Sequence, residues 1–235
     1  MSYIYRPYRL DRSETDTRHN LPSVQSIYTN AGYRLLTKEE VDSLFVSEKY
    51  KLDAITLDNM FGIDYVCQDK NGRYIFVQER LKPKRYSFFQ DFNLRYERLT
   101  SKVRTEESKI KQFIHNVESG VFRFRNGYKQ NSFTVFIVYA FINDDTGQII
   151  KRVTANLNVL YHYLDEGRIV PVPKGHKNWD PVSGFWDDEH KVFYAPIMPD
   201  RDGSASFVNF NVVQMQTHFT DFNWIFSTGD WKLRP

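Results

Sequence analysis

In FGIDYVCQDKNGRYIFVQERLK, residues 61–82, apolar and polar positions alternate on both sides of Asp69-Lys70-Asn71-Gly72, a pattern that predicts a β-hairpin. The turn chemistry decides which side chains share a face. Asp suits the first position of a type I turn and Gly the left-handed bulge position that follows it, which gives a three-residue loop. Asp69 then pairs with Arg73, and counting outward sets Asp64 opposite Gln78, with Arg80 diagonal on the same face. A two-residue type I′ turn at Asn71-Gly72 would slip the register by one and set Asp64 against Glu79; the turn residues favour the first arrangement.

Around this hairpin the periodicity predicts further elements. Residues 1–36 are polar with little periodicity and read as an N-terminal arm. Thr37 and Glu40 form a capping-box pattern, and Val41, Leu44 and Phe45 make one apolar stripe, so a helix is expected from Thr37 to about Tyr50. Phe92, Leu94 and Tyr96 alternate with Asp91, Asn93, Arg95 and Glu97, which predicts a strand over 91–98. Thr105 can cap a helix whose Ile110, Phe113, Ile114 and Val117 share a face and which Gly120 ends. SFTVFIVYAFI, residues 132–142, reads as a strand buried on both faces at the centre of a sheet, followed by a helix over 153–164. From Ile169 onward the chain holds most of its prolines and all four tryptophans. That segment, 169–235, reads as a loop-rich extension with short strands, one around 207–213, packed by its aromatics on a core spanning 37–168.

Composition narrows the class. The 235 residues are 41% hydrophobic and 16% aromatic, enough for a sizeable core, and no stretch is apolar over the roughly 18 residues a membrane span needs. The first 20 residues carry charges throughout and show no secretory pattern. Cys67 is the single cysteine, so an internal disulfide is impossible and a cytoplasmic, intracellular setting is the expectation. Zinc ribbons and fingers are excluded for want of thiolates, and the histidines show no close ligand spacing.

Charge adds a partner. Between Arg80 and Lys129 thirteen lysines or arginines stand against five aspartates or glutamates, a net +8; the whole chain carries +3, so the remainder sums to −5. Tyr and Phe interleave with the cations in KPKRYSFF, NLRYERL and VFRFRNGYK, a composition suited to phosphate contact combined with base stacking. Lys82, Lys84, Arg85, Arg95, Arg98, Lys102 and Arg104 are the candidate nucleic-acid contacts.

In order, the predicted elements are helix, strand, strand, strand, helix, strand. With Asp64 late in the first strand and Gln78-Glu79-Arg80 late in the second, residues 37–142 resemble the PD-(D/E)XK nuclease superfamily, the restriction-endonuclease-like fold. The resemblance implies an α/β protein with a mixed sheet flanked by helices and the aromatic-rich C-terminal extension added to it. The family's first-strand aspartate would fall on Asp64, its second-strand acid on Gln78, its lysine on Arg80, and the helix glutamate of some branches on Glu40 or Glu48. Glu79 takes the ligand position if the register slips. Such sites hold Mg²⁺ or Mn²⁺ on hard oxygen ligands, and the metal polarises a phosphate and activates water. Arg80 can stabilise charge but cannot act as a base, which is a departure from the family's pattern.

The expected function is therefore metal-dependent hydrolysis of DNA, cutting or nicking, of the phage, mobile-element or genome-defence kind. A non-catalytic nucleic-acid-binding protein on the same fold is the alternative, and a structural or partner-binding protein the third. DNA against RNA, the sequence recognised, and monomer against homodimer stay open at the level of sequence.

Overall fold

The computed structural model describes residues 21–47, 51–98, 106–125, 133–199, 205–220 and 224–232. In chain order the first elements are α1 (Leu21–Asn30), β1 (Arg34–Leu35), α2 (Lys38–Asp42), β2 (Phe45–Val46), α3 (Ala54–Phe61), β3 (Tyr65–Gln68) and β4 (Tyr74–Pro83). A single 3₁₀ turn, Lys84–Tyr86, leads to β5 (Asp91–Arg98), α4 (Glu106–Glu118), β6 (Arg123–Phe124), β7 (Phe133–Ile142) and β8 (Ile149–Asn156). Then follow α5 (Leu157–Asp165), β9 (Ile169–Val172), β10 (Phe185–Asp187), β11 (Val192–Pro199), β12 (Ala205–Asn211), α6 (Val212–His218) and β13 (Ile225–Thr228).

The result is an α/β protein built on a mixed six-stranded sheet of order β1-β3-β4-β7-β8-β13. β4 and β7 run parallel over Tyr74–Pro83 and Phe133–Ile142, and α4 lies in the crossover between them; the other pairings in this sheet are antiparallel. The continuous apolar character of β7 follows from its position, because a strand paired on both sides is buried over most of its length, only Thr134 and Phe136 being half-buried. α4 buries Ile110, Phe113, Ile114 and Val117, the stripe its periodicity predicts. Phe113 sits among the rings of Phe45, Phe61, Phe76, Phe122 and Phe133, with centroids 4.9–6.3 Å away, and this aromatic cluster fixes α4 on one face of the sheet.

β5 occupies the predicted residues but joins a different sheet. It pairs with β12 in the order β10-β11-β12-β5, with β9 added parallel to β11. The segment after 169 has the expected short strands joined by loops, but these strands are organised: they supply most of the second sheet and, through β13, an edge of the first. Cross-strand partners over 100 residues distant in the chain, such as Asn93 and Asn209, leave no local signature.

Three helix boundaries also differ from the periodicity. The helix expected over 37–50 is only α2; Thr37 and Glu40 form the expected capping box, but Phe45 leaves the helix, pairs as β2 with β6 and stacks on Phe124 at 4.8 Å. Tertiary packing of that ring overrides a weak helical stripe. Val153, read as helical, lies in β8, and the helix starts only where Asn156 accepts the amides of Asn158 and Val159. α1 falls within the segment read as an arm and buries Tyr28, while α3 is too short for its three core residues, Ala54, Leu57 and Phe61, to stand out as a repeat. Among the described residues no helix is long and apolar enough to cross a membrane.

Candidate metal and nucleic-acid site

The hairpin turn sets the site. Asp69 Oδ1 accepts the amides of Asn71 and Arg73, both at 2.8 Å, while Oδ2 accepts Arg73 Nε at 2.7 Å. Gly72 has φ +79°, a conformation costly for any residue with a β-carbon, and donates its amide to the Asp69 carbonyl. Asp69 and Arg73 close the loop, so the register runs Gln68↔Tyr74 through Tyr65↔Val77. That paired register ends at Tyr65↔Val77, one residue short of Asp64 and Gln78. The three-residue loop is the one adopted.

At the other end of β3, α3 stops at Gly62, whose φ of +69° lets its amide and that of Ile63 close back on the helix carbonyls. The chain turns and delivers Asp64 to the sheet, where its amide bonds Val77 O and its carboxylate Oδ2 accepts the Glu79 amide. Gln78 extends over the bare α-carbon of Gly62, its Nε2 3.7 Å from where a β-carbon would stand and the side chain of Ile110 on α4 nearby. Asp64 is fully buried and Gln78 nearly so. The Gln78 Oε1 atom is buried with no hydrogen-bond partner. An unpaired buried amide oxygen is costly, and a hard cation is one group that would satisfy it.

Arg80 follows on the same face of β4, two residues or about 6.6 Å along, and pairs in register with Tyr139 of β7. Burial pushes the Tyr139 phenol well up, the charge of Asp91 adds to this, and the Arg80 charge pulls the other way. Asn93 donates to the same hydroxyl at 3.3 Å. Beyond them opens a cleft of about 320 Å³ between the two sheets, with Lys82 and Tyr139 on one side, Asn93 and Asn209 on the other, and Tyr86 and Phe89 at one end.

Asp91 is the member that sequence reasoning passes over. Its signal is the polar half of the β5 alternation, Asp91, Asn93 and Arg95, but the reason for that polarity, the cleft, depends on β12 far downstream.

The remaining candidates divide. Glu79 points to the opposite face of β4, where it is fully buried and accepts the Tyr28 hydroxyl at 3.2 Å. Glu40 bonds Arg34 at 2.7 Å and closes the α2 capping box; Arg34 pairs with Gln68, four residues or about 13 Å along β3 from Asp64. Glu48, Lys102 and Arg104 lie outside the described residues. Lys82 lines the cleft, Lys84 and Arg85 are exposed on the 3₁₀ turn with Arg85 over the Tyr86 ring, Arg95 sits over the Phe207 ring, and Arg98 ends β5.

Among the described residues no group of three or more His, Cys, Asp or Glu side chains converges on a metal position. The available donors at the hairpin are one carboxylate, Asp64, and one amide oxygen, Gln78. That set suits Mg²⁺, which keeps several waters and takes further oxygens from substrate phosphates, rather than an ion that needs an all-protein cage. Comparisons with protein-family models, with curated proteins and with solved structures find no match to this chain.

Proposed function

We propose that this protein is a divalent-metal-dependent phosphodiesterase that cuts or nicks DNA at the Asp64–Gln78 pair. The observation that carries the reading is the buried Gln78 Oε1 without a donor, at the end of the hairpin where the amide of the next residue, Glu79, holds the Asp64 carboxylate. The parallel β4–β7 pairing with α4 crossing between the strands supports it, as does the basic, aromatic-rich segment that begins where β4 ends.

In this reading Asp64 and Gln78 would hold Mg²⁺ or Mn²⁺, which when bound polarises the phosphate and lowers the pKa of an attacking water. Asp64 is held in place by the Glu79 amide, so no reorganisation is needed to present it. Arg80, always protonated, offsets charge on the phosphate, and Lys82 continues the positive line into the cleft. There the rings of Tyr86 and Phe89 offer stacking surfaces for bases next to the scissile phosphate.

A second reading has its own support. The absence of a three-ligand acidic cluster among the described residues, together with Arg80 at the lysine position, favours a protein that binds nucleic acid without cutting it. Incubation with supercoiled plasmid in Mg²⁺, Mn²⁺ or EDTA separates the two. Open-circle product signifies nicking and linear product double-strand cleavage; retained binding with no product in any metal assigns the protein to the second reading.

A further inference from the structure

The face of the main sheet turned away from Gln78 holds a second cavity, of about 410 Å³, in the size range of small-molecule sites. Its walls are apolar: Val77 on β4, Phe136 and Val138 on β7, Ile27 and Tyr28 on α1, with Phe226 at the β13 edge. Into this lining β8 projects Arg152, set in register between Ala140 and Thr228. The Arg152 Nε atom is buried without an acceptor, and among the described residues no carboxylate pairs with the guanidinium. The acid on the same face, Glu79, bonds Tyr28 instead.

A guanidinium stays protonated, and keeping part of one, here the Nε of a half-buried arginine, against an apolar wall without an anion is unfavourable. A sheet face that needed only packing would be served better at this position by Leu or Met. The alternation of β8 forces the point: Lys151 turns to the other face, where its amine bonds the Phe89 carbonyl and lies over the Trp231 ring at 4.1 Å, so the two adjacent cations have opposite fates. Lys151 has its acceptor. Thr154 and Thr228, which share the cavity lining with Arg152, carry hydroxyls that suit the rim of an anion site and supply no charge; the Ser227 hydroxyl is taken by Gln216, and Tyr28 is the group whose field acts on Arg152. We infer that this cavity binds a small organic carboxylate with an apolar body, its carboxylate paired with Arg152 and its body lying on Val77, Phe136 and Val138.

Isothermal titration of the full chain with decanoate, 1-decanol and acetate tests the assignment. Decanoate should bind at least tenfold more tightly than decanol, which has the body without the charge, and acetate, which has the charge without the body, should not bind measurably. Arg152→Met should abolish the preference for decanoate over decanol while keeping a melting temperature at or above that of the unaltered protein. Ala31→Trp, at the exposed mouth of the cavity, should weaken decanoate and decanol alike and remains informative if Arg152→Met fails to fold. No decanoate binding, equal affinity for decanoate and decanol, or undiminished binding to Ala31→Trp would each overturn the inference.

Discussion

Tyr28 reaches from α1 to donate its hydroxyl to the buried Glu79 carboxylate, 3.2 Å away, on the face of β4 opposite Gln78. Adjacent residues of one strand thereby serve different sides of the sheet. Glu79 anchors a helix, and Gln78 lies on the other face with Arg80. Removing the Tyr28 hydroxyl leaves a buried acceptor short of a donor, so Tyr28→Phe should cost on the order of 1–3 kcal/mol. Urea denaturation measures this, and cleavage per folded molecule should be unchanged because the bond lies on the far face.

Asp64 and Gln78 make the catalytic prediction. Asp64→Asn keeps an oxygen for the Glu79 amide but removes the charge, so plasmid cleavage should fall by about two orders of magnitude or more while DNA affinity is retained or rises. Gln78→Glu restores a second carboxylate and should retain or raise the metal-dependent rate. Unchanged cleavage by Asp64→Asn would locate the chemistry elsewhere.

Gly72 offers a test of the register itself. With φ at +79° and its amide bonded to Asp69, Gly72→Ala should destabilise the fold by about 1 kcal/mol, a strain term only, since the nearest atom to an added methyl is 3.7 Å away. Thermal denaturation reads the loss.

Stability should also depend on pH through Cys67. Burial, and then the charge of Glu79, raises its thiol from 9.0 to about 12. A raised acid means that the unfolded chain loses the proton first, so the thiol's contribution is fully present below pH 9 and declines as pH rises toward 12, by at most about 1.4 kcal/mol per pH unit. Tyr28 and Tyr139, also raised, add the same sign above their ordinary value of 10. Cys67→Ala should flatten the decline between pH 9 and 10, measured by urea titration at each pH.

Phosphate contact predicts a salt response. If the cations from Lys82 onward meet DNA, affinity should drop steeply with salt, and Lys82→Ala, Lys84→Ala and Arg85→Ala combined should reduce the log–log slope by roughly 2–3. A slope indifferent to the triple substitution would remove this surface from the interface.

What the sequence makes legible here is what short-range chemistry determines. Asp69 and Gly72 carry their own turn geometry, so the register from Gln68↔Tyr74 to Tyr65↔Val77 follows from five residues. β7 declares itself by an apolar run too uniform for a half-exposed strand. The rest depends on distant partners. Phe45 becomes a strand because Phe124 is there to receive it, and Asp91 becomes part of the cleft because β12 returns beside β5. The orphaned Gln78 oxygen is a fact of packing against Gly62 and Ile110 that no pattern of residue types announces.

The parallel pairing of β4 with β7 has a consequence for how the molecule assembles. The β3–β4 hairpin joins near neighbours and can close early, whereas β4 must wait for a partner strand that begins only at Phe133. Loop closure over that span is slow relative to hairpin formation. During synthesis the hairpin therefore emerges with a bare edge along β4, Tyr74–Pro83, that the ribosome releases before its complement exists. Arg80, Lys82 and Pro83, gathered at the end of that strand, are the residue types that discourage a foreign strand from adding to it, so the cations assigned to phosphate would also guard the nascent chain against aggregation.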